Sequence, residues 1–217
     1  MIKIDLEKIR RTLYSGVIAD ILDELGYRNQ AMGNWIRPHR KEYVVAGPAF
    51  TILATNVYQV PGNPYELELK AVDSVGPGEV IVATSNGSTR CGFWGELLTT
   101  RAMHRGAVGA VIDGMTRDSL FMEKLDFPFF VRGYNPLDSK GRIEVIDYSV
   151  PIECGGVRVC PGDFIFGDND GIVVIPEAVT NEVLVKALEK VAAENIVREE
   201  LKKGKSAKEV YEKYGIL

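Results

Sequence analysis

The sequence predicts a mixed α/β domain, and three observations carry that prediction. From Glu79 to Asp118, a β-branched run (Glu79 to Thr84), a loop with Gly87, Gly92 and Gly95, a helix-like segment and a second apolar run (Val108 to Asp113) follow one another. Strand, helix and strand in about 35 residues is the size of a right-handed βαβ unit. Between residues 133 and 163, short β-like runs alternate with Gly and Pro, which predicts a more antiparallel layer. A 3.6-period apolar stripe (Val183, Leu184, Ala187, Leu188, Val191, Ile196, Val197, Leu201) predicts a long C-terminal helix.

In chain order, residues 5–12 and 15–25 read as two short helices, the second capped by Ser15 and stopped by Gly26. Asn34 to Lys41 reads as a loop. Tyr43 to Thr55 reads as one or two strands interrupted at Gly47-Pro48, because proline cannot donate within a sheet. Pro64 to Val75 suits a helix. Pro77-Gly78-Glu79 and Pro161-Gly162-Asp163 each precede a β-branched or aromatic run, which predicts two turn-to-strand junctions of similar geometry. A tight turn is expected at Gly114 to Asp118, then a short helix (Ser119 to Leu125) and a buried strand (Phe127 to Arg132). The C-terminal helix is expected to end at Gly204, with Ser206 capping a last helix through Tyr214. Its apolar surface hints at a subunit contact. No linker or low-complexity tract divides the 217 residues, so a single domain over 1–217 is expected, with C-terminal helices from about residue 177.

Composition narrows the function classes. A hydrophobic share of 46% and a charged share of 26% are those of a soluble protein, and no apolar run approaches the ~20 residues of a membrane span. The N-terminal MIKIDLEKIRR lacks the apolar core of a signal peptide, so a cytoplasmic location is expected. A net charge of −4 argues against direct nucleic-acid binding. Cys91, Cys154 and Cys160 are odd in number and form no CxxC pair, which argues against a disulfide framework or a structural zinc site. Cys91 reads either as a reactive thiol in a loop or as a small buried residue.

Three stretches could carry chemistry. Gly92 to Leu98 places glycines before a helix whose first amides could bind a carboxylate or phosphate, or it merely turns the chain. In Gly114 to Asp118, Arg117 offers a fork of donors to a carboxylate or enolate oxygen, and Asp118 a hard oxygen of the kind Mg²⁺ takes. Alternatively, Asp118 caps the next helix and Arg117 is solvated. Phe166 to Glu177 imitates a calcium loop in spacing, but its first ligand position is Phe166 and a turn between strands is the better reading. His39 and His104 have no second His at metal-binding spacing.

At these residues the chain resembles the RraA-like proteins, which include 4-hydroxy-4-methyl-2-oxoglutarate aldolases and regulators of ribonuclease E activity. The resemblance runs through SGVIADILDELG (Ser15 to Gly26), VAGPAFT (Val45 to Thr51), WGELL (Trp94 to Leu98), RGA (Arg105 to Ala107), VIDGMTRD (Val111 to Asp118), CGGV (Cys154 to Val157), PGD (Pro161 to Asp163) and GDNDGIVVIP (Gly167 to Pro176). It implies a three-layer β/β/α swivelling, phosphohistidine-domain-like fold with a C-terminal helical extension, assembled as homotrimers or hexamers. It also implies a metal-dependent lyase that uses Mg²⁺, or another divalent cation such as Mn²⁺, to cleave a small 2-oxo acid substrate to pyruvate, with oxaloacetate decarboxylation as a side activity.

Matched by motif, Asp118 would ligate the metal and Arg117 would hold the keto oxygen and stabilise the enolate. Amides of Gly95, Glu96, Leu97 and Leu98 would bind the pyruvyl carboxylate, and the Glu96 side chain would position or deprotonate a metal-bound water. An acid from a neighbouring subunit's C-terminal helix would reach the metal waters; Glu194 is the candidate, with Glu199 and Glu200 as alternatives. Departures from the family pattern at Asn56 to Asn63 and Ser85 to Gly92 are expected to shape the substrate pocket. The regulator branch shares the core motif, so an alternative function is binding and inhibiting a ribonuclease; a sugar-acid or hydroxy-acid enzyme is a third.

Overall fold

The structure is a computed structural model that describes residues 5–216. Two helices open the chain, α1 (Leu6–Thr12) and α2 (Ser15–Glu24). Ser15 does not cap α2. It is the first helical residue, and its amide and hydroxyl both donate to the Asp168 carboxylate at 2.7 Å. Asp168 also accepts from the amide of Asp170 within its own turn at 2.9 Å, so the imitation calcium loop is a turn that caps a distant helix.

A two-residue strand, β1 (Arg37–Pro38), lies in the stretch expected to be loop. The 12-residue strand β2 (Val45–Asn56) then runs through Gly47-Pro48 without the expected interruption. Pro48 falls where pairing with a late antiparallel strand ends and parallel pairing on the other edge begins, at Ala49. A missing N–H is tolerated at such a changeover.

The middle of the chain is a run of parallel crossovers. After β2 come α3 (Glu66–Ser74), β3 (Val80–Thr84), the short β4 (Gly92–Trp94), α4 (Glu96–Arg105), β5 (Gly109–Thr116), α5 (Ser119–Lys124) and β6 (Phe129–Tyr134). The strands lie side by side in the order β6-β5-β3-β2, each pair parallel. Successive right-handed crossovers in one direction put α3, α4 and α5 on one face of the sheet. The βαβ unit is therefore as predicted. The expected tight turn at Gly114 is absent, because β5 continues to Thr116 through a register shift against β6 between Ile112 and Met115.

The later strands are antiparallel. β7 (Ile143–Tyr148) joins the main sheet on the edge of β2, while β8 (Ile152–Cys154) and β9 (Val157–Val159) form a separate two-stranded sheet. β10 (Phe164–Gly167) and β11 (Ile172–Ile175) extend the main sheet beyond β2. The two Pro-Gly-acid turns are alike: Glu79 accepts from the Gly76 amide at 2.6 Å and Asp163 from the Cys160 amide at 2.7 Å. Each turn delivers a strand to β2, one on either edge.

The long helix α6 (Thr180–Lys202) and the capping-box helix α7 (Ala207–Tyr214) close the chain. Val183, Leu184, Ala187 and Val191 of α6 bury against α1, α2 and the β10–β11 hairpin, in a second core apart from that of the parallel strands. Most of the stripe that hinted at a subunit contact is thus used within the chain, although Ile196 is exposed.

Candidate active site

The carboxyl ends of β4 and β5 meet the N-terminus of α4 at a cleft of about 190 Å³. Local bonding fixes where its functional side chains start. The Trp94 carbonyl accepts from the Arg117 amide at 2.9 Å and from the Thr116 hydroxyl at 2.7 Å, so the β4–β5 seam holds the backbone just before Arg117 projects. Asp118 follows in the left-handed region (φ 57°, ψ 27°), a conformation Asp tolerates better than most residues. It occupies the N-cap position of α5 yet makes no side-chain capping bond there. Its Oδ2 lies instead 3.6 Å from Arg117 Nε, on the side of Gly95.

The glycines act on this approach. A Cβ at Gly95 would lie 2.8 Å from Asp118 Oδ2, and one at Gly92 would lie 2.8 Å from Arg117 Cβ and closer still to the Asn135 carbonyl. Their small size admits the Arg117–Asp118 segment itself. Gly95 also caps α4 without any side chain, which leaves the amides of the first turn free of a side-chain cap.

Gly95, Leu97, Leu98, Arg117 and Asp118 all border the cleft. Glu96 does not border it; its carboxylate accepts from the Thr100 hydroxyl at 2.8 Å, one turn along α4. Glu194 lies on α6 and accepts from the Tyr14 hydroxyl. Within one protomer it belongs to the contact between α6 and the segment joining α1 to α2, not to the cleft.

Tyr65, Glu68 and Asp138 complete the cleft, and none of them stood out in the sequence. Asp138 pairs with Arg117 Nη1 at 3.0 Å and accepts from the Tyr65 hydroxyl at 2.6 Å. Desolvation works against its charge, but the Tyr65 hydroxyl, the neighbouring amides and Arg117 outweigh that, and its pKa falls below the ordinary value. The same hydrogen bond, with burial, raises Tyr65 to about 12. Half-buried Glu68 is pushed up to about 7, first by burial and then by the Asp138 charge, with Arg117 opposing.

One other expectation changes. The loops at Asn56 to Asn63 and Ser85 to Gly92 pack on each other, through Ser88 to Asn56 (2.7 Å) and Arg90 to the Val57 carbonyl (3.1 Å). Of these residues only Gly92 borders the cleft, whose other walls come from α3 and the turn before β7. Cys91 is fully buried and its thiol is raised to about 11, chiefly by desolvation, as a structural residue would be.

The residues present fit a divalent cation held mainly by water. Among the described residues no three His, Cys, Asp or Glu side chains converge as a ligand cage. Mg²⁺ does not require one, since it is commonly held by one or two carboxylates and keeps several waters. Asp118, exposed at the cleft and making no side-chain capping bond, would supply such a carboxylate. Three carboxyl groups (Glu68, Asp118, Asp138) face one guanidinium around the cleft.

A model of the RraA-like family, described as Aldolase/RraA, matches residues 16–174. The chain belongs to the RraA-like family. The matched region spans α2 to β11 and includes the cleft; α6 and α7 lie beyond it. One RraA-like relative, from Halalkalibacterium halodurans and provisionally named 4-hydroxy-4-methyl-2-oxoglutarate aldolase, is 37% identical over 182 residues, covering 84% of this chain and 81% of that protein. A crystal structure of Streptomyces coelicolor RraAS2, described as an unusual member of the RNase ES inhibitor RraA protein family, superposes with a TM-score of 0.80 at 28% identity, over 90% of this chain and 96% of that one. An uncharacterised Pseudomonas syringae protein superposes with a TM-score of 0.84 at 27% identity, over 96% and 93% of the two chains. The curled sheet with helices is thus shared with RraA-like structures. Among the described residues no helix is long and apolar enough to cross a membrane.

Proposed function

We propose that this RraA-like chain is a divalent-metal-dependent lyase that cleaves 4-hydroxy-2-oxo acids, such as 4-hydroxy-4-methyl-2-oxoglutarate, to pyruvate, and that it also decarboxylates oxaloacetate. The observation that carries the reading is Asp118: it stands at a helix cap without capping, turned toward Arg117 and the uncapped amides of α4. Mg²⁺ or Mn²⁺, held by Asp118, would supply Lewis acidity to the 2-keto oxygen and lower the pKa of its waters.

In this reading the amides of Gly95 to Leu98 hold the substrate carboxylate against the positive end of α4. Arg117 donates to the keto oxygen and gains strength as that oxygen becomes an enolate, so it favours the transition state over the ground state. A base takes the proton of the C4 hydroxyl, the C3–C4 bond breaks, and its electron pair forms the pyruvate enolate, which is then protonated at C3. Glu96 would turn from Thr100 to position or deprotonate the water that serves as base. Glu194 from a neighbouring copy would approach from the side the protomer leaves open, in a homotrimer or hexamer of swivelling β/β/α protomers. Oxaloacetate decarboxylation leaves the same enolate and so needs the same groups.

The test is pyruvate release, coupled to lactate dehydrogenase, over a panel of 2-oxo acids with Mg²⁺ and with EDTA. Activity that survives both EDTA and Arg117→Ala would sink the mechanism. A second reading, a protein that inhibits a ribonuclease by binding it, is favoured by the likeness to RraAS2. It predicts ribonuclease binding with no turnover of any 2-oxo acid.

A further inference from the structure

We propose that Tyr65 and Asp138 are positioning residues that hold the Arg117 guanidinium in the cleft, so that Asp118 is left free; the proposal rests on the lyase reading above. Arg117 has two carboxylate neighbours and lies closer to one of them. Its Nη1 lies 3.0 Å from Asp138 Oδ1, whereas its Nε lies 3.6 Å from Asp118 Oδ2, outside hydrogen-bonding range. A long side chain at a strand end keeps considerable rotamer freedom unless something fixes it.

Asp138 is itself fixed. Its Oδ2 accepts from the Tyr65 hydroxyl at 2.6 Å and from the Lys140 amide at 3.1 Å, which leaves Oδ1 facing Arg117. The two oxygens thus have separate duties, one anchored to the protein and one holding the guanidinium.

Tyr65 is placed for this contact at a conformational cost. It is a non-glycine residue in the left-handed region (φ 68°) at the N-cap of α3, and no side-chain capping bond compensates there. From there its hydroxyl reaches Asp138 in the turn before β7, which in turn pairs with the guanidinium. With its pKa raised to about 12, the Tyr65 hydroxyl remains a donor throughout the working pH range. With one Nη engaged by Asp138, Nε and the other Nη remain for a substrate oxygen. Without the anchor, Arg117 could swing to Asp118 and neutralise the carboxylate that a cation needs.

Tyr65→Phe and Asp138→Asn should each lower kcat for pyruvate release by roughly 10- to 100-fold, with a smaller change in KM. In an Arg117→Ala background neither substitution should reduce the residual rate further, because both act through Arg117. Independently of any turnover, the Arg117 side-chain Nε–H resonance should be sharp in the wild type and broadened in both variants. Should the wild type release no pyruvate, the lyase reading falls while this resonance still decides the positioning role. An unchanged resonance in both variants, or fully additive rate losses with Arg117→Ala, would overturn the proposal.

Discussion

Glu68 gives a direct test of the cleft's electrostatics, because its carboxyl is held far from ordinary behaviour. Burial is the largest cause, the charge of Asp138 adds to it, and Arg117 opposes both; the result is a rise from 4.5 to about 7. Between those values the folded protein keeps a proton that the unfolded chain has released, so stability falls as pH rises through this window. The contribution is fully present below about pH 4.5 and lost by about pH 7. A shift of this size corresponds to about 3 kcal/mol as an upper bound. Glu68→Gln keeps the shape and removes the titration. Urea unfolding in EDTA, at fixed protein concentration from pH 5 to pH 8, should show the variant gaining on the wild type as pH rises, by roughly 2–3 kcal/mol across the range. A difference that stays flat with pH would refute the account of a carboxyl desolvated beside Asp138.

Three further substitutions separate site from scaffold. Gly95→Ala places a methyl group 2.8 Å from Asp118 Oδ2 while leaving an extended backbone (φ −162°) unstrained; pyruvate release should fall about tenfold or more, with thermal melts nearly unchanged. Asp113→Ala strips a buried carboxylate from Arg132, from Trp35 Nε1 (3.3 Å) and from the Gly155 amide (2.8 Å); denaturant titration should report a loss of about 3 kcal/mol. Ser206→Ala removes the capping box of α7 and should cost about 1 kcal/mol, read as faster amide exchange confined to residues 207–214.

Local chemistry made much of the fold legible. The Ser206 cap, the Gly26 stop, the two Pro-Gly-acid turns and the βαβ unit all follow from signals within a few residues of one another, and the structure contains each of them. Sequence and structure part where a distant partner decides the outcome. Ser15 looks like a cap, but Asp168 arrives from 153 positions away and takes its hydroxyl. Gly47-Pro48 looks like a break, but β2 exchanges partners at that point. The site divides in the same way. Arg117 and Asp118 were visible because they are adjacent at a strand end. Tyr65 and Asp138 are 73 positions apart, and their meeting depends on where α3 and the turn before β7 come to rest. Even the left-handed conformation of Tyr65 leaves no sequence signal, since Tyr is not a residue that favours it.

Adjacency poses a physical problem that the fold answers. A neighbouring Arg and Asp can simply pair, and a closed pair would offer a ligand neither charge. Here the left-handed turn at Asp118 directs its carboxylate toward Gly95 rather than into a cap for α5, while Asp138 pairs with the guanidinium through Nη1. The resulting 3.6 Å separation is too long for a hydrogen bond. Because the two opposite charges are held apart by different elements, a cation could approach Asp118 without first displacing Arg117. A substrate oxygen could likewise reach Arg117 without competing with Asp118. That separation depends on three features together: the small Gly95, the left-handed Asp118 and the anchored Asp138.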